Sequence, residues 1–446
     1  MPETTPVRVD PREAYAVWEI TLKCNLACSH CGSRAGDARV HELSTEEAFD
    51  LVRQMAEVGI TEVTLIGGEA FLRADWLDIA REIVRSGMRC TMTTGGYGIS
   101  AKVAERMAEA GIASVSVSID GLEAQHDALR GRVGSYASAF RTMGHLRAAG
   151  IPFSNNTQIN RQSAPLLPLM YEQLDAAGFF AWQLQLTVPM GHAADRPELL
   201  MQPAELLDLY PVIGVLSARA LDDGRRVQAG NNIGYYGPYE RLFRAFGSEV
   251  TTWEGCQAGV RALGIEADGT IKGCPSLPTG PYAGGNIRER KLHDIVHHAP
   301  QLTFNDRGDT DHLWGFCAGC RYASLCRGGC SWTATVFFDK RGNNPYCHHR
   351  ALVQASRGVR ERVFLEQAAP GLPFDNGRYG LVEEALDAEW PSDDPQRFRL
   401  EDVRWPQAWL DAEPGLLDRL RDERARAIAA VRNPPRAPSP SESAAP

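Results

Sequence analysis

The sequence predicts an α/β protein: a partial (β/α)6 barrel, then a cysteine-rich domain, then a C-terminal extension. Three observations predict it. Over roughly the first 225 residues, short β-rich runs alternate with amphipathic stretches, a pattern that implies parallel strands joined by helical crossovers. Ten of the eleven cysteines fall in short-spaced groups, three before residue 32 and seven after residue 255. The chain's 446 residues exceed one ordinary core and suit two to three domains.

The strand signals fall at Ala16–Leu22, Glu62–Ile66, Met88–Thr93, Ser114–Ile119, Phe153–Ile159 and Ala181–Thr187. Between them lie amphipathic stretches such as Ser44–Val58 and Asp75–Ser86, each opened by an N-cap residue. Glu47 stands three residues after Ser44, the spacing of a capping box. Six such repeats predict a curved, TIM-like partial barrel, whose chemistry sits at the C-terminal strand ends. The loop Cys24–Cys31 follows the first strand, Gly67-Gly68-Glu69 the second and Asp120 the fourth.

The predicted boundaries are an N-terminal segment over 1–13, the barrel over 14–225 and a Gly- and Tyr-containing bridge over 226–252. The cysteine-rich domain covers 253–355; its weak helical periodicity suggests support by metal rather than by a core. An irregular acidic extension with several Trp fills 356–432 and ends in a helix near Gly415–Arg432. The Pro/Ala/Ser-rich stretch 433–446 is expected to be disordered.

With 43% apolar and 23% charged residues, the composition is globular. The net charge is −9 and the basic residues are scattered, which argues against a large nucleic-acid surface. No run approaches the roughly 18–20 apolar residues that span a bilayer, and the start Met-Pro-Glu-Thr-Thr-Pro lacks the form of a signal peptide. The expected location is the cytoplasm. That compartment keeps thiols reduced, so the cysteines read as metal ligands rather than disulfides.

Cys24, Cys28 and Cys31 form C-x3-C-x2-C. Three thiolates on one loop hold three corners of a cubane iron–sulfur cluster and leave the fourth iron open. The alternative is zinc, for which His30 is the available fourth ligand, awkwardly wedged between two of the cysteines. This spacing at the mouth of a first barrel strand resembles the radical S-adenosylmethionine superfamily. Gly67-Gly68-Glu69 resembles the superfamily's GGE motif, which takes the methionine amino group. Thr93-Thr94-Gly95 stands where the superfamily often has Thr-Asn-Gly. Ser116 to Gly121, His126-Asp127 and Arg130-Gly131 resemble the fourth-strand segment of its peptide-modifying branch.

The resemblance covers about residues 14–225. It implies S-adenosylmethionine and a [4Fe-4S] cluster as cofactors, with Gly67, Gly68, Glu69, Thr94, Ser118, Asp120 and Arg130 around the former. Ser118 and Arg130 would hold its carboxylate or ribose. By the same resemblance, the reduced cluster passes one electron into the sulfonium, a carbon–sulfur bond breaks, and a 5′-deoxyadenosyl radical forms. Two departures stand out: Ala70 replaces the usual Pro after GGE, and His30 replaces an aromatic before the third cysteine.

Downstream, Cys256, Gly269 and Cys274 read C-x12-G-x4-C, and Cys317, Cys320, Cys326 and Cys330 read C-x2-C-x5-C-x3-C, followed by Cys347. Seven thiolates suit two clusters, one of them with three cysteines; two structural zinc sites are the alternative. The pattern resembles the SPASM domain, a carrier of auxiliary clusters. By that resemblance Cys317, Cys320, Cys326 and Cys347 bind an outer cluster, and Cys256, Cys274 and Cys330 an inner one. An eighth cysteine of some relatives is absent at Arg261-Ala262-Leu263, which leaves the inner cluster an open iron or a non-cysteine ligand. Cys90 reads as a buried structural residue, and His348-His349 as surface or supporting residues.

The function implied is a radical peptide maturase that takes hydrogen from a residue of a ribosomally made precursor and closes a crosslink by oxidation. Auxiliary clusters suit the removal of the second electron. A sulfatase-maturase-like oxidation of Cys or Ser is the alternative, disfavoured by Pro275-Ser276 where that branch has Asp. A peptide epimerase would need a spare thiol, and only Cys90 remains. A plain iron–sulfur electron carrier would have no use for Glu69 or Ser118. The implied reductant is a flavodoxin or ferredoxin. About 15 residues precede the first strand, too few for a winged-helix leader-binding domain, so a separate leader-binding protein is a further candidate partner.

Overall fold

The computed structural model describes residues 14–432 apart from 247, 248, 251, 306, 307, 393, 395 and 396. The predicted N-terminal segment 1–13 and the tail 433–446 therefore lie outside the described residues. Seven parallel strands lie side by side in chain order: β1 (Tyr15–Glu19), β2 (Glu62–Ile66), β3 (Arg89–Thr94), β4 (Ile112–Ser118), β5 (Phe153–Ile159), β6 (Ala181–Leu186) and β7 (Arg226–Ala229). Helices α1 (Thr45–Glu57), α2 (Trp76–Arg85), α3 (Ala101–Glu109), α4 (Glu123–Arg130), α5 (Ser135–Ala148), α6 (Leu167–Ala177) and α7 (Leu206–Asp222) form the crossovers. The sequence pattern explains the layering. In β5, Phe153, Asn155, Thr157 and Ile159 are buried while Ser154, Asn156 and Gln158 stay half-buried on the other face.

The capping box opens α1 as predicted: Ser44 Oγ accepts from Glu47 N–H at 3.2 Å, and Ser44 N–H donates to Glu47 Oε2 at 2.8 Å. β7 lies inside the segment expected to be a bridge; its four residues are too few to show a strand period on their own.

The sheet does not stop at β1. Strand β8 (Ala262–Ile265) pairs parallel to its free edge, Tyr15 opposite Ala262, and β9 (Thr270–Lys272) and β10 (Ala283–Asn286) continue it antiparallel. The cysteine-rich segment is thus hydrogen-bonded to the barrel sheet. It also has a core, contrary to the expectation of support by metal. Leu263, Ile265 and Ile271 join the main hydrophobic cluster, as do Leu292 and Ile295 of α8 (Leu292–His298). Two further helices of eight or more residues, α9 (Ser331–Phe338) and α10 (His348–Ser356), lie at the end of the segment.

The extension is more regular than its composition suggested. β11 (Val359–Gln367) and β12 (Arg378–Ala385) form an antiparallel hairpin where irregular chain was expected. Helix α11 (Leu416–Arg432) lays Ala427, Ile428 and Val431 against Leu207 of α7 and Ala351, Leu352 and Ala355 of α10. One stretch is more apolar than the sequence suggested. Pro197–Asp222 is long and apolar enough by composition to cross a membrane, but 89% of its apolar window is buried inside the protein, as befits a core helix.

Candidate functional site

The loop after β1 is braced from three sides. Asn25 Nδ2 donates to Tyr97 O at 2.8 Å beyond β3. Ala27 N and Ser29 N donate to Arg130 O and Leu129 O, at 3.1 and 2.8 Å, at the end of α4. His192 N donates to Cys31 O at 2.9 Å, and its ring Nδ1 meets Cys28 O at 3.0 Å. Close approach explains Gly131: its φ of 62° is left-handed, and a Cβ there would stand 2.5 Å from Ala27 O.

Each sulfur of this loop receives one N–H: Cys24 from Leu26 N at 3.4 Å, Cys31 from Ala35 N at 3.4 Å, Cys28 from Arg130 Nη1 at 3.6 Å. Burial pushes the Cys24 thiol up to about 12, and pushes Cys28 up to about 11 against the pull of Arg130. Thiols held so high ionise when a metal replaces the proton.

The β2 end is pressed against the same loop. A Cβ on Gly67 would lie 2.4 Å from Thr21 O, and one on Gly68 2.4 Å from Lys23 O, so the close packing admits only glycine. Glu69 follows, 2% exposed; its carboxylate accepts from Thr94 Oγ1 at 2.5 Å and Gly95 N at 2.6 Å. Burial lifts its carboxyl to about 7, against those two hydrogen bonds.

Asp120, after β4, is the brace of the site. It accepts from Gln158 N at 2.8 Å, meets His30 Nε2 at 3.1 Å and pairs with Arg130. Burial opposes ionisation there, yet the charges of Arg130 and His30 hold the carboxyl well below the usual range. Its oxygens are spent on protein partners, and Arg130 is divided between Asp120 and Cys28. Both were expected to face a cofactor; in the structure Asp120 braces Arg130 and His30. His30 thereby ties the cysteine loop to β4. Ser118 sits half-buried at the last residue of β4.

The later thiols lie close enough to one another to raise each other's pKa. Burial and then the neighbouring charges of Cys256 and Cys274 raise Cys330. Burial and then Cys326, Cys317 and Cys320 raise Cys347. All eleven cysteines are free of disulfides, and Cys90 is buried within β3. Among the described residues, no three Cys, His, Asp or Glu side chains converge as a single metal ion requires. A cluster asks less, since each thiolate binds its own iron.

Several residues around these thiols were invisible in the sequence. Tyr235 OH accepts from Cys330 N at 3.1 Å, and Trp253 Nε1 donates to Cys326 O at 3.2 Å, so Tyr235 of the bridge and Trp253 just beyond it pack among the thiols. Arg350 N donates to Cys347 Sγ at 3.4 Å, while its guanidinium forks onto Glu361 at 2.6 and 2.8 Å and reaches Asn343 Oδ1 at 2.7 Å. His348 and His349 are buried rather than surface residues; burial pushes them down to about 3 and about 4, and His348 stacks on Tyr239. The extension reaches the first loop too. Asp375 accepts from Arg34 Nε at 2.8 Å, and Phe374 lies 4.1 Å from Lys272 Nζ.

Residues 18–160 match the radical SAM superfamily, and residues 256–321 match SPASM, an iron–sulfur cluster-binding domain. An AdoMet-dependent heme synthase from Nitratidesulfovibrio vulgaris is 28% identical over 75% of this chain and 91% of its own. The mycofactocin maturase MftC of Mycobacterium ulcerans is 28% identical over 78% of this chain and 92% of its own. Streptococcus suis SuiB, solved bound to its precursor peptide SuiA, superposes with a TM-score of 0.58 at 17% identity, covering 75% of this chain and 74% of that one.

Proposed function

We propose that this radical S-adenosylmethionine enzyme with a SPASM domain modifies a ribosomally made precursor peptide, removing hydrogen from one residue and closing a crosslink by oxidation. Its cofactors are S-adenosylmethionine and iron–sulfur clusters, as the two domains imply. The residues fit them. Three thiols with an N–H on each sulfur suit a cluster with one open iron, and a buried carboxylate beside them suits the methionine ammonium.

In this reading Cys24, Cys28 and Cys31 hold the first cluster, Cys256, Cys274 and Cys330 the inner auxiliary one, and Cys317, Cys320, Cys326 and Cys347 the outer. Bound there, the clusters supply one-electron chemistry: reductive cleavage of S-adenosylmethionine at the first, electron removal at the others. Glu69, aimed by Thr94 and Gly95, orients the amino group. Gly67 and Gly68 let the backbone come close, and Ser118 offers a hydroxyl at the strand end. Arg130 donates to Cys28, and Asp120 keeps Arg130 and His30 in place. The reductant is a flavodoxin or ferredoxin.

The observation that carries the reading is the packing of the later thiols among Tyr235 and Trp253, in a segment that β8 joins to the barrel sheet. The relative named a mycofactocin maturase and the fold shared with a peptide-bound neighbour support a peptide as substrate. The heme synthase relative supports a second reading, in which the substrate is a porphyrin. Anaerobic co-expression with each short open reading frame flanking the gene, followed by mass spectrometry, separates them. Loss of two hydrogens from one peptide is expected. Turnover of a porphyrin with every peptide unchanged would overturn the proposal.

A further inference from the structure

The face of the sheet turned away from the helices carries a different chemistry from an ordinary barrel interior, which branched apolar side chains fill. On β4 to β7 the buried alternates include Val117, Trp182, Leu184 and Val227. Toward the strand C-termini the half-buried alternates are neutral and polar: Ser118 on β4, Asn156 and Gln158 on β5, Gln183 and Gln185 on β6, Gln228 on β7.

The register sets them in rows. Ser118 stands opposite Asn156, Asn156 opposite Gln183, and Gln183 opposite Gln228. One step nearer the strand C-termini, Gln158 stands opposite Gln185. Among the described residues, the five side-chain amides make no hydrogen bond to protein; the backbone of Gln158, not its side chain, bonds Asp120. Below Ser118 on the same strand face, Ser116 Oγ is buried without a partner. These amides stay open to solvent rather than being spent on the protein, and each offers two donors and an acceptor. Asp120, which accepts from Gln158 N, ties this surface to the cysteine loop through His30.

We propose that the row Asn156, Gln183 and Gln228, with Gln158 and Gln185 beside it, is a cradle that hydrogen-bonds the backbone amides of an extended substrate segment, next to the Ser118 end of the cofactor site. The proposal rests on the peptide reading above and deepens it. The two inter-strand steps of about 4.8 Å from Asn156 to Gln228 span about 10 Å, the reach of roughly three extended residues. Amide side chains pair with peptide groups as both donor and acceptor, whatever the sequence. A porphyrin carries carboxylates and a broad apolar ring, and calls for cations and apolar walls instead. The cation on this face, Arg226, lies two residues before Gln228, at the opposite end of β7 from the site.

The test is equilibrium dialysis under anaerobic conditions with the iron-loaded full chain. The probes are N-acetyl-hexaglycine amide, its N-methylated counterpart N-acetyl-hexasarcosine amide, and coproporphyrin III. Saturable binding of the glycine peptide is expected, with at least tenfold weaker binding of the sarcosine peptide, which lacks the N–H groups. In the Gln183→Leu/Gln228→Leu variant, with iron content and melting temperature as in the parent, the glycine peptide binds at least tenfold more weakly. Equal binding of the two peptides, or no binding of either, overturns the cradle, and this arm needs no variant to fold. Undiminished binding by the variant also overturns the cradle and leaves the peptide reading standing. Binding of coproporphyrin III with neither peptide bound overturns the peptide reading itself.

Discussion

At the scale of single residues, Glu69 concentrates the account. It is buried, hydrogen-bonded by Thr94 and Gly95, and lifted by burial to about 7 in the free protein. An ammonium is held by the carboxylate and not by the carboxylic acid. Below about pH 7 the free site is increasingly protonated, so S-adenosylmethionine binding weakens as pH falls, approaching tenfold per unit. Above that pH the carboxylate is present and the dependence flattens. Binding isotherms between pH 5.5 and 8.5 check the sign. Glu69→Gln removes the titration and lowers affinity at pH 8 by about tenfold or more, with iron content unchanged. Affinity that does not vary with pH in the parent would remove Glu69 from the amino-group role. This residue was legible from the sequence because its motif is contiguous. Asp120 was legible only as a strand-end acid, because its bracing partners His30, Arg130 and Gln158 come from three other segments.

At the scale of elements, the contact between α4 and the cysteine loop holds the first thiols in place. Gly131→Ala would press a methyl onto Ala27 O in a left-handed turn. The loop must shift, and the variant is expected to lose about four irons per chain while the auxiliary sites keep theirs; iron analysis with electron paramagnetic resonance of the reduced protein shows which cluster is missing. The outer auxiliary group depends on α10 and β11 in the same way. Arg350→Met leaves the Glu361 carboxylate buried without its cation, a loss of about 3–5 kcal/mol read by chemical denaturation. Replacing both residues by apolar ones recovers most of it. None of this could be read from the sequence. The run Val359–Gln367 mixes charges with apolar residues; its buried Glu361 is explained by Arg350 in the preceding helix, and its buried Arg360 by Glu384 on the strand that follows. Likewise Tyr235 meets Cys330 across 95 residues of chain. The strands and α1, by contrast, announce themselves through local period and a capping box.

At the scale of the molecule, barrel and cysteine-rich segment are one structure. β8 extends the barrel sheet past β1, and the seam is bolted by charge: fully buried Lys272 reaches Glu266 at 2.7 Å, and Arg39, from the first cysteine loop, reaches Glu266 at 2.8 Å and Glu19 at 3.2 Å. The tip of the extension's hairpin lays Phe374 over Lys272 and Arg39. Cysteine spacing revealed that two thiol-rich regions exist; that they share a sheet depends on β8, whose four residues are too few to carry a strand period. The measurement that tests the account most directly is anaerobic: reconstitute the full chain, count iron, then add S-adenosylmethionine and a strong reductant and follow 5′-deoxyadenosine. The account predicts about 12 irons per chain, cleavage of the cofactor, and, in Cys28→Ala, loss of about four irons together with all cleavage. Bound zinc in place of iron, with S-adenosylmethionine left intact, would contradict it.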